Sequence, residues 1–368
     1  MVYVHVPFCR SFCTYCDFYS EIACRERDAQ NFDPYVDTVC AEASLRRDAL
    51  ASAGNPSTLY IGGGTPSLLH PAQLHRIAAA VRVPGAFSEF TVEVNPEDIV
   101  EKGPAYVRGL LEAGVNRVSM GVQSLDDGIL RWMNRRHDAA RARQAVRILR
   151  ESGVTNLSVD LIFGLAQLTD VLLAQTLDGV LSWRPEHISA YQLSIEAGSA
   201  LGRLVRDGLY EEASQEQCAA QYALLCRRLR DAGYVHYEIS NWALPGREAV
   251  HNSAYWTRQP YVGLGPGAHS FDGQVRSWNP ADLKAWTENV RSGSRPGEDS
   301  AERLTAEEAR EETVMLGLRT ARGIPGGACD PVRAAALLAD GRLVRCGDRL
   351  RIPEDHWFVS DDIIAELI

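Results

Sequence analysis

The sequence lacks the features of a membrane or nucleic-acid-binding protein. None of its apolar runs approaches the roughly 20 residues that a transmembrane helix needs. The N-terminus, MVYVHVPFC, lacks the basic segment, apolar core and cleavage site of a secretory signal, so we expect a cytoplasmic protein. Lysine and arginine total 38 against 48 aspartate and glutamate, a formal net charge of -10 over 368 residues. Because nucleic acids and anionic membranes attract clustered positive charge, we expect neither as a partner.

The nine cysteines do not form a disulfide framework, because their number is odd and the chain is long. Six are scattered, and we expect them to be small buried apolar side chains: Cys24, Cys40, Cys218, Cys226, Cys329 and Cys346. The other three, Cys9, Cys13 and Cys16, have a C-x3-C-x2-C spacing. Thiolates this close in sequence can converge on one metal centre.

Two kinds of metal centre are compatible with this spacing. Structural zinc normally takes four protein ligands, and the nearby candidate for the fourth, His5, lies in a strand-like run. A [4Fe–4S] cluster on three cysteines has one iron without a protein ligand, and that iron can chelate S-adenosylmethionine (SAM). Reduction of SAM by the cluster then gives a 5′-deoxyadenosyl radical. The neighbouring aromatics Phe8, Phe12, Tyr15 and Phe18 would keep such a cluster in a water-poor setting.

The first half of the chain alternates strand-like and helix-like segments six times, which is typical of parallel strands with crossover helices. The predicted strands are 2–6, 58–61, 90–94, 117–122, 157–163 and 187–193. The predicted helices are 34–50, 71–81, 100–113, 139–151 and 171–181. A complete eight-unit barrel would need more repeats. We therefore predict an α/β fold, a partial (β/α)6 TIM-like barrel.

The alternation stops after residue 193, and the rest of the chain has a different pattern. We predict three regions: the partial barrel over 1–195, an extension with the motif HNSAYW over 196–295, and a mostly helical, winged-helix-like domain over 296–368. The last of these is the smaller C-terminal domain.

Glycine-rich and polar segments follow the predicted strands, at the barrel edge where enzymes of this architecture place their chemistry. Three glycines at 62–64 let the backbone approach a ligand closely, or simply form a tight turn. Glu93 and Asp160 are carboxylates in apolar strands, which is costly unless they are paired or liganded. The ribose hydroxyl pair of a nucleoside suits Glu93, and an internal salt bridge is the alternative.

The cysteine spacing directly after a first strand resembles the radical SAM superfamily. Several segments are similar to its anaerobic coproporphyrinogen III oxidase-like family: YVHVPFCRSFCTYCDFYS, YIGGGTPS, GVNRVSMGVQS, SVDLIFGL, HISAYQLSIEAGS, YEISNWA and HNSAYW. The resemblance implies a partial barrel and a [4Fe–4S] cluster on Cys9, Cys13 and Cys16. It also implies a SAM site made by Tyr3, Tyr15, Gly63, Gly64, Thr65, Glu93, Gln123, Arg135 and Asp160.

This family contains a radical dehydrogenase that decarboxylates coproporphyrinogen III and a haem chaperone. Three features favour the chaperone: Asp17-Phe18 replace the dehydrogenase's glycine and cysteine, HNSAYW resembles a chaperone motif, and the chain begins almost at the first strand. The resemblance implies haem as a ligand, with His251 as its axial ligand or His269 as a second candidate.

Haem-accepting proteins, respiratory or membrane-associated ones among them, are then the expected partners. The dehydrogenase and a structural zinc protein are the alternative functions. No catalytic residue is assigned, and SAM cleavage and a homodimer are left open.

Overall fold

The computed structural model describes residues 1–23, 31–52, 57–81, 86–294 and 300–368. Its first strands are β1 Val2–Val6, β2 Phe8–Cys9, β3 Glu21–Ile22, β4 Thr58–Gly63, β5 Glu89–Val94, β6 Arg117–Gln123, β7 Leu157–Phe163 and β8 His187–Gln192. The helices among them are α1 Asp33–Leu45, α2 Arg47–Ser52, α3 Pro71–Val81, α4 Pro96–Glu112, α5 Asp127–Trp132, α6 Ala139–Glu151 and α7 Asp170–Ser182. A 3-10 helix covers Pro66–Leu68.

The remaining elements lie beyond β8. The helices are α8 Ala200–Arg206, α9 Gln215–Asp231, α10 Val250–Tyr255, α11 Leu283–Arg291, α12 Ala306–Leu318, α13 Pro331–Ala339 and α14 Ser360–Ala365, and a second 3-10 helix covers Glu354–Val359. The strands are β9 Val235–Glu238, β10 Asn241–Ala243, β11 Val262–Leu264, β12 His269–Phe271, β13 Val275–Trp278, β14 Ala301–Arg303, β15 Ile324–Pro325, β16 Val344–Cys346 and β17 Arg349–Arg351.

Six parallel strands, β1, β4, β5, β6, β7 and β8, form the centre of the main sheet. Their apolar side chains are buried, as expected for parallel strands with helices packed on the outside. The predicted partial (β/α)6 fold is confirmed. The predicted helices 71–81 and 139–151 match α3 and α6, whereas α4 begins earlier than predicted, at Pro96, because proline suits the first helical position.

Three short strands that the sequence pattern did not predict extend this sheet at both edges. The order is β11-β1-β4-β5-β6-β7-β8-β10-β9, with β11 parallel to β1 and β10 antiparallel to β8. The alternation of strands and helices therefore ends after residue 193, but the sheet does not. Within residues 235–264, β9 and β10 therefore lie at one edge of the barrel sheet and β11 lies at the other.

The C-terminal residues combine α12, α13 and α14 with a small antiparallel sheet of order β15-β17-β16. Val314, Leu337, Leu350 and Ile363 are among the buried side chains of this region. The predicted boundary between 295 and 296 lies at residues outside the described part of the chain, and the domain division stays a prediction. No helix in the described ranges is both long and apolar enough to cross a membrane.

The scattered cysteines only partly follow the expectation of burial. Cys218, Cys226 and Cys329 are buried, and Cys40 is partly buried. The expectation is wrong for Cys346, which is exposed because it ends β16, a short strand at the edge of the small sheet. Cys24 lies outside the described residues.

Candidate functional site

The segment that carries Cys13 and Cys16 is held in place by hydrogen bonds to the end of α5. The Thr14 backbone N–H donates to the Met133 carbonyl at 3.2 Å, and the Thr14 hydroxyl donates to the Trp132 carbonyl at 2.9 Å. The Asn134 side-chain amide donates to the Phe12 carbonyl at 2.7 Å. These three hydrogen bonds fix the position of the segment relative to the end of α5.

A cavity of about 620 Å³ opens beside this segment, and all three cysteines line it. Eight of the nine predicted SAM residues line the same cavity: Tyr15, Gly63, Gly64, Thr65, Glu93, Gln123, Arg135 and Asp160. Tyr3 is the exception, because its hydroxyl lies 3.0 Å from Nδ1 of His5 and its ring packs near Tyr60. The fold thus gathers residues from five strand–helix units around the cysteines.

The aromatic neighbours of the cysteines divide into two groups. Phe8 packs against Phe32, with ring centroids 4.7 Å apart, and Tyr15 lines the cavity. Phe12 and Phe18, however, are 50% and 70% exposed, so the expectation that they shield the cysteines from water is wrong. Both nevertheless line the cavity, where their exposed rings form part of its rim.

Glycine is required where the turn after β4 meets the cysteine segment. Gly63 has φ +109°, and a Cβ there would lie 2.6 Å from the ring of His5. A Cβ at Gly64 would lie 3.0 Å from Sγ of Cys9. The Thr65 hydroxyl donates to the same sulfur at 3.6 Å. Only a chain without side chains at these positions can approach the cysteines this closely.

Two partly buried carboxyl groups face the cavity. Glu93 accepts hydrogen bonds from the Tyr60 hydroxyl at 2.7 Å and from the Gly63 N–H at 3.1 Å, and burial raises its pKa to about 7. Asp160 accepts from the Ser119 hydroxyl at 3.2 Å, and burial raises its pKa to about 6. These hydrogen bonds use only part of the acceptor capacity of each carboxyl group. Both can therefore accept further hydrogen bonds from a ligand's hydroxyl groups.

Arg135 brings a partly buried positive charge next to the cysteines. Its guanidinium donates to Sγ of Cys13 at 3.4 Å, to Oδ1 of Asn95 at 2.6 Å and to the Gly121 carbonyl at 2.8 Å. Desolvation opposes its charge, but neighbouring Tyr15 and Cys13 keep its pKa above the ordinary value. Its buried Nε has no hydrogen-bond partner. This arrangement suits an anionic group, either a carboxylate or thiolate-bound iron and sulfide.

Gln123 enters the cavity through an irregularity at the end of β6. The pairing of β6 with β7 shifts register between Gly121 and Gln123, and Gln123 has φ +66°. A positive φ is strained for a residue with a side chain, and such strain is often found at functional sites. The shift re-aims the glutamine side chain toward the cavity.

The thiols fit an iron–sulfur cluster better than a single zinc ion. In a tetrahedral zinc site with Zn–S bonds of about 2.3 Å, the sulfurs are roughly 3.8 Å apart. The Sγ atoms of Cys9, Cys13 and Cys16 do not all lie within 4.8 Å of one another, so they are spaced too widely for a single zinc ion. His5 offers no fourth ligand, because Nε2 lies 2.8 Å from the Tyr19 carbonyl oxygen and Nδ1 lies 3.0 Å from the Tyr3 hydroxyl.

Two residues of the site escaped the sequence prediction. Tyr60 positions Glu93, and Asn95 accepts from Arg135 while its amide donates to Thr65 Oγ1 at 3.3 Å. Asn95 could have been found, because it directly follows the strand of Glu93 at its carboxyl end. Tyr60 resembles an ordinary strand aromatic in sequence.

The predicted haem ligand His251 is not presented to the solvent. It is 1% exposed, with Nδ1 2.8 Å from the Thr58 hydroxyl and Nε2 3.0 Å from the Tyr255 hydroxyl. Burial lowers its pKa to about 3, so the ring is neutral. Both ring nitrogens are occupied, and neither can bind iron in this conformation. His269, the second candidate, is exposed on β12 beside Trp278.

Comparisons with known proteins add the evolutionary context. Residues 3–178 match the model of the radical SAM superfamily. The chain is 35% identical over 373 residues to the heme chaperone HemW of Mycobacterium tuberculosis, covering all of this chain and 94% of the relative. It is 35% identical over 329 residues to HemW of Bacillus subtilis, covering 88% and 84%.

A solved structure shows the same fold. Coproporphyrinogen III oxidase (HemN) from Escherichia coli aligns with a TM-score of 0.81 over 99% of this chain and 89% of that chain. The two sequences are 24% identical.

Proposed function

Because the chain belongs to the radical SAM superfamily and, within it, to the family of the heme chaperone HemW, we propose that it binds haem and delivers it to haemoproteins. The observation that carries the proposal is the similarity to HemW over the whole chain, with 94% of the relative covered. The residues Asp17-Phe18 directly after the third cysteine agree with it, since the dehydrogenases of the family have glycine and cysteine there. We propose that the protein acts in the cytoplasm, because its free cysteine thiols suit a reducing compartment.

The cavity is the proposed site of a [4Fe–4S] cluster with SAM. Cys9, Cys13 and Cys16 would hold the cluster, which supplies an iron for SAM chelation and an electron for its reduction. We propose that Glu93 accepts hydrogen bonds from the ribose hydroxyls, and that Arg135 neutralises the methionine carboxylate. Tyr15, Gly63, Gly64, Thr65, Gln123 and Asp160 complete this proposed site. Tyr3 would need to turn toward the cavity to join it.

Two histidines are the proposed candidates for the axial haem ligand, and they differ in exposure: His251 is buried and His269 is exposed. His251 carries the family motif but would need to give up its contacts with Thr58 and Tyr255. His269 is exposed and lies beside an aromatic ring that could pack on a porphyrin. Losing one or both of these neutral hydrogen bonds costs about 1 to 2 kcal/mol, so opening His251 should weaken its haem affinity by roughly 5- to 30-fold.

Haem titration of matched variants identifies the ligand. If His251 binds iron after opening, His251→Ala abolishes the low-spin haem spectrum, and Tyr255→Phe tightens haem binding several-fold because Nε2 is released. If His269 is the ligand, His269→Ala abolishes the spectrum and Tyr255→Phe has no effect. Unchanged haem binding in both alanine variants would remove both histidines from the proposal.

Transfer to an acceptor tests the function itself. The haem-loaded, cluster-reconstituted protein should convert an apo-haemoprotein, such as an apo-cytochrome of the respiratory chain, to its holo form. Coproporphyrinogen III is offered in parallel under anaerobic, reducing conditions with SAM. Formation of vinyl groups without haem transfer would replace the chaperone proposal with the dehydrogenase.

A further inference from the structure

A second cluster of metal-binding side chains lies outside the cavity. It consists of Cys226 on α9, His236 on β9 and Glu354 at the start of the C-terminal 3-10 helix. Sγ of Cys226 lies 3.9 Å from Nδ1 of His236, which lies 3.0 Å from Oε1 of Glu354. All three ligand atoms lie within 4.8 Å of one another. We call this group the Cys226 cluster.

The imidazole of the Cys226 cluster is held rigidly by aromatic rings. His236 stacks on Trp242 with centroids 4.0 Å apart, and Trp357 meets it at 4.3 Å. Its Nε2 lies 3.4 Å from the Ile239 carbonyl oxygen. Metal-binding histidines usually donate their second N–H to such an oxygen, which fixes the tautomer with a lone pair on the other nitrogen. In the metal-free protein Nδ1 donates its N–H to Oε1 of Glu354, so metal binding at Nδ1 requires the imidazole proton to sit on Nε2, where the Ile239 carbonyl can accept it.

We propose that Cys226, His236 and Glu354 bind a divalent transition metal ion of the zinc type, with water as the fourth ligand. A thiolate, an imidazole and a carboxylate form a donor set that zinc accepts. Ligand atoms around tetrahedral zinc are roughly 3.3 to 3.8 Å apart, so the cluster needs only small side-chain shifts. Arg230 holds the other carboxylate oxygen of Glu354 at 2.6 Å and leaves Oε1 toward the metal.

Metal binding here has a defined proton balance. Burial raises the pKa of the Cys226 thiol to about 12, so the thiol is protonated in the metal-free protein. When the metal binds, the Cys226 S–H bond breaks and that proton goes to the solvent, while the imidazole N–H moves from Nδ1 to Nε2 of His236, so binding is weaker at lower pH. The bound ion would join α9, β9 and the C-terminal residues, and none of the three ligands lines the cavity of the cysteine motif.

Elemental analysis of the cluster-reconstituted full chain tests this site. The protein is incubated with zinc, desalted and analysed for zinc and iron. We expect about one zinc per chain, lost in Cys226→Ser while iron is unchanged. Cys218→Ser, which replaces the other buried cysteine of α9, should retain the zinc. Equal zinc content in wild type and Cys226→Ser would overturn the proposal and leave an ordinary histidine–carboxylate hydrogen bond.

Cobalt substitution provides an independent readout. It uses the full-length triple variant Cys9→Ser, Cys13→Ser, Cys16→Ser, which binds no iron–sulfur cluster and so has no cluster absorption. Co²⁺ should give thiolate-to-cobalt charge-transfer bands and raise the melting temperature, and Cys226→Ser should lose both effects while melting normally without metal. If Cys226→Ser does not fold, Glu354→Gln replaces it, with at least about tenfold weaker Co²⁺ binding expected. Absence of a thiolate band in the Cys226-containing chain overturns the proposal.

Discussion

Replacing Glu93 with glutamine should make the ligand-free protein less sensitive to alkaline pH while weakening SAM binding. Burial raises the pKa of Glu93 from 4.5 to about 7. This difference corresponds to a cost of roughly 3 kcal/mol for an ionised carboxylate in the folded protein. The cost is absent below about pH 4.5, where folded and unfolded chains are both protonated, and it is complete above about pH 7. Stability from this group therefore falls as the pH rises through that interval.

Glutamine removes the titration, but Tyr60 and Gly63 donate to different oxygens of the carboxyl group, and the NH2 group that replaces one of these oxygens cannot accept. That loss costs about 1 kcal/mol at every pH. Between about pH 5 and about pH 8, the difference in unfolding free energy between Glu93→Gln and wild type should shift by roughly 3 kcal/mol in favour of the variant. Urea unfolding followed by circular dichroism measures it, with the exposed Glu151→Gln as control.

The same variant tests the proposed ribose contact. On the cluster-loaded protein, equilibrium dialysis at about pH 8 should show SAM binding weakened by roughly 10- to 100-fold, because hydrogen bonds to a charged carboxylate are lost. A pH-independent stability difference would refute the reasoning about the buried carboxylate. Unchanged SAM affinity would refute its role in ligand binding.

The remaining predictions concern the cysteine side of the cavity. Arg135→Lys keeps the charge, but the lysine ammonium cannot contact Cys13 and Asn95 together. SAM affinity measured by dialysis should therefore fall at least about tenfold, while the iron content is retained. Arg136→Lys is the control, and an equal loss of SAM affinity in that variant would contradict the assignment. Gly63→Ala should destabilise the protein by about 2 kcal/mol more than Gly233→Ala, since both have positive φ but only the first clashes. Equal urea midpoints for these two variants would show that the turn can move away from His5.

The barrel could be predicted closely because its signals are local. Each central strand is an apolar run and each helix has its own periodicity, so the predicted 157–163 and 139–151 match β7 and α6. The rule that the carboxyl ends of parallel strands meet at one edge pointed to the glycine turn, Glu93 and Asp160, and the resemblance to the radical SAM superfamily implied the other cavity residues.

What escaped prediction depends on contacts between distant residues. β9, β10 and β11 have only three or four residues each, too few for a periodic signal. β10 and β11 pair with strands far away in sequence, and β9 joins the sheet only through β10. His251 faces inward because the N–H groups of Val250 and His251 both donate to Glu89, which fixes α10 against β5. No local pattern contains that information.

The Cys226 cluster is a further case of this kind. Its members are 128 positions apart in the chain, between Cys226 and Glu354, and none belongs to a recognisable spacing. Aromatic packing around His236 brings them together, and only the folded chain reveals it.

The most direct test of the central claim is the electron paramagnetic resonance spectrum of the anaerobically reconstituted, reduced protein with and without SAM. We predict a [4Fe–4S]⁺ signal that changes when SAM is added and that is absent from Cys13→Ser but present in Cys40→Ser. A signal that SAM leaves unchanged, or one that survives in Cys13→Ser, would contradict a SAM-binding cluster on Cys9, Cys13 and Cys16.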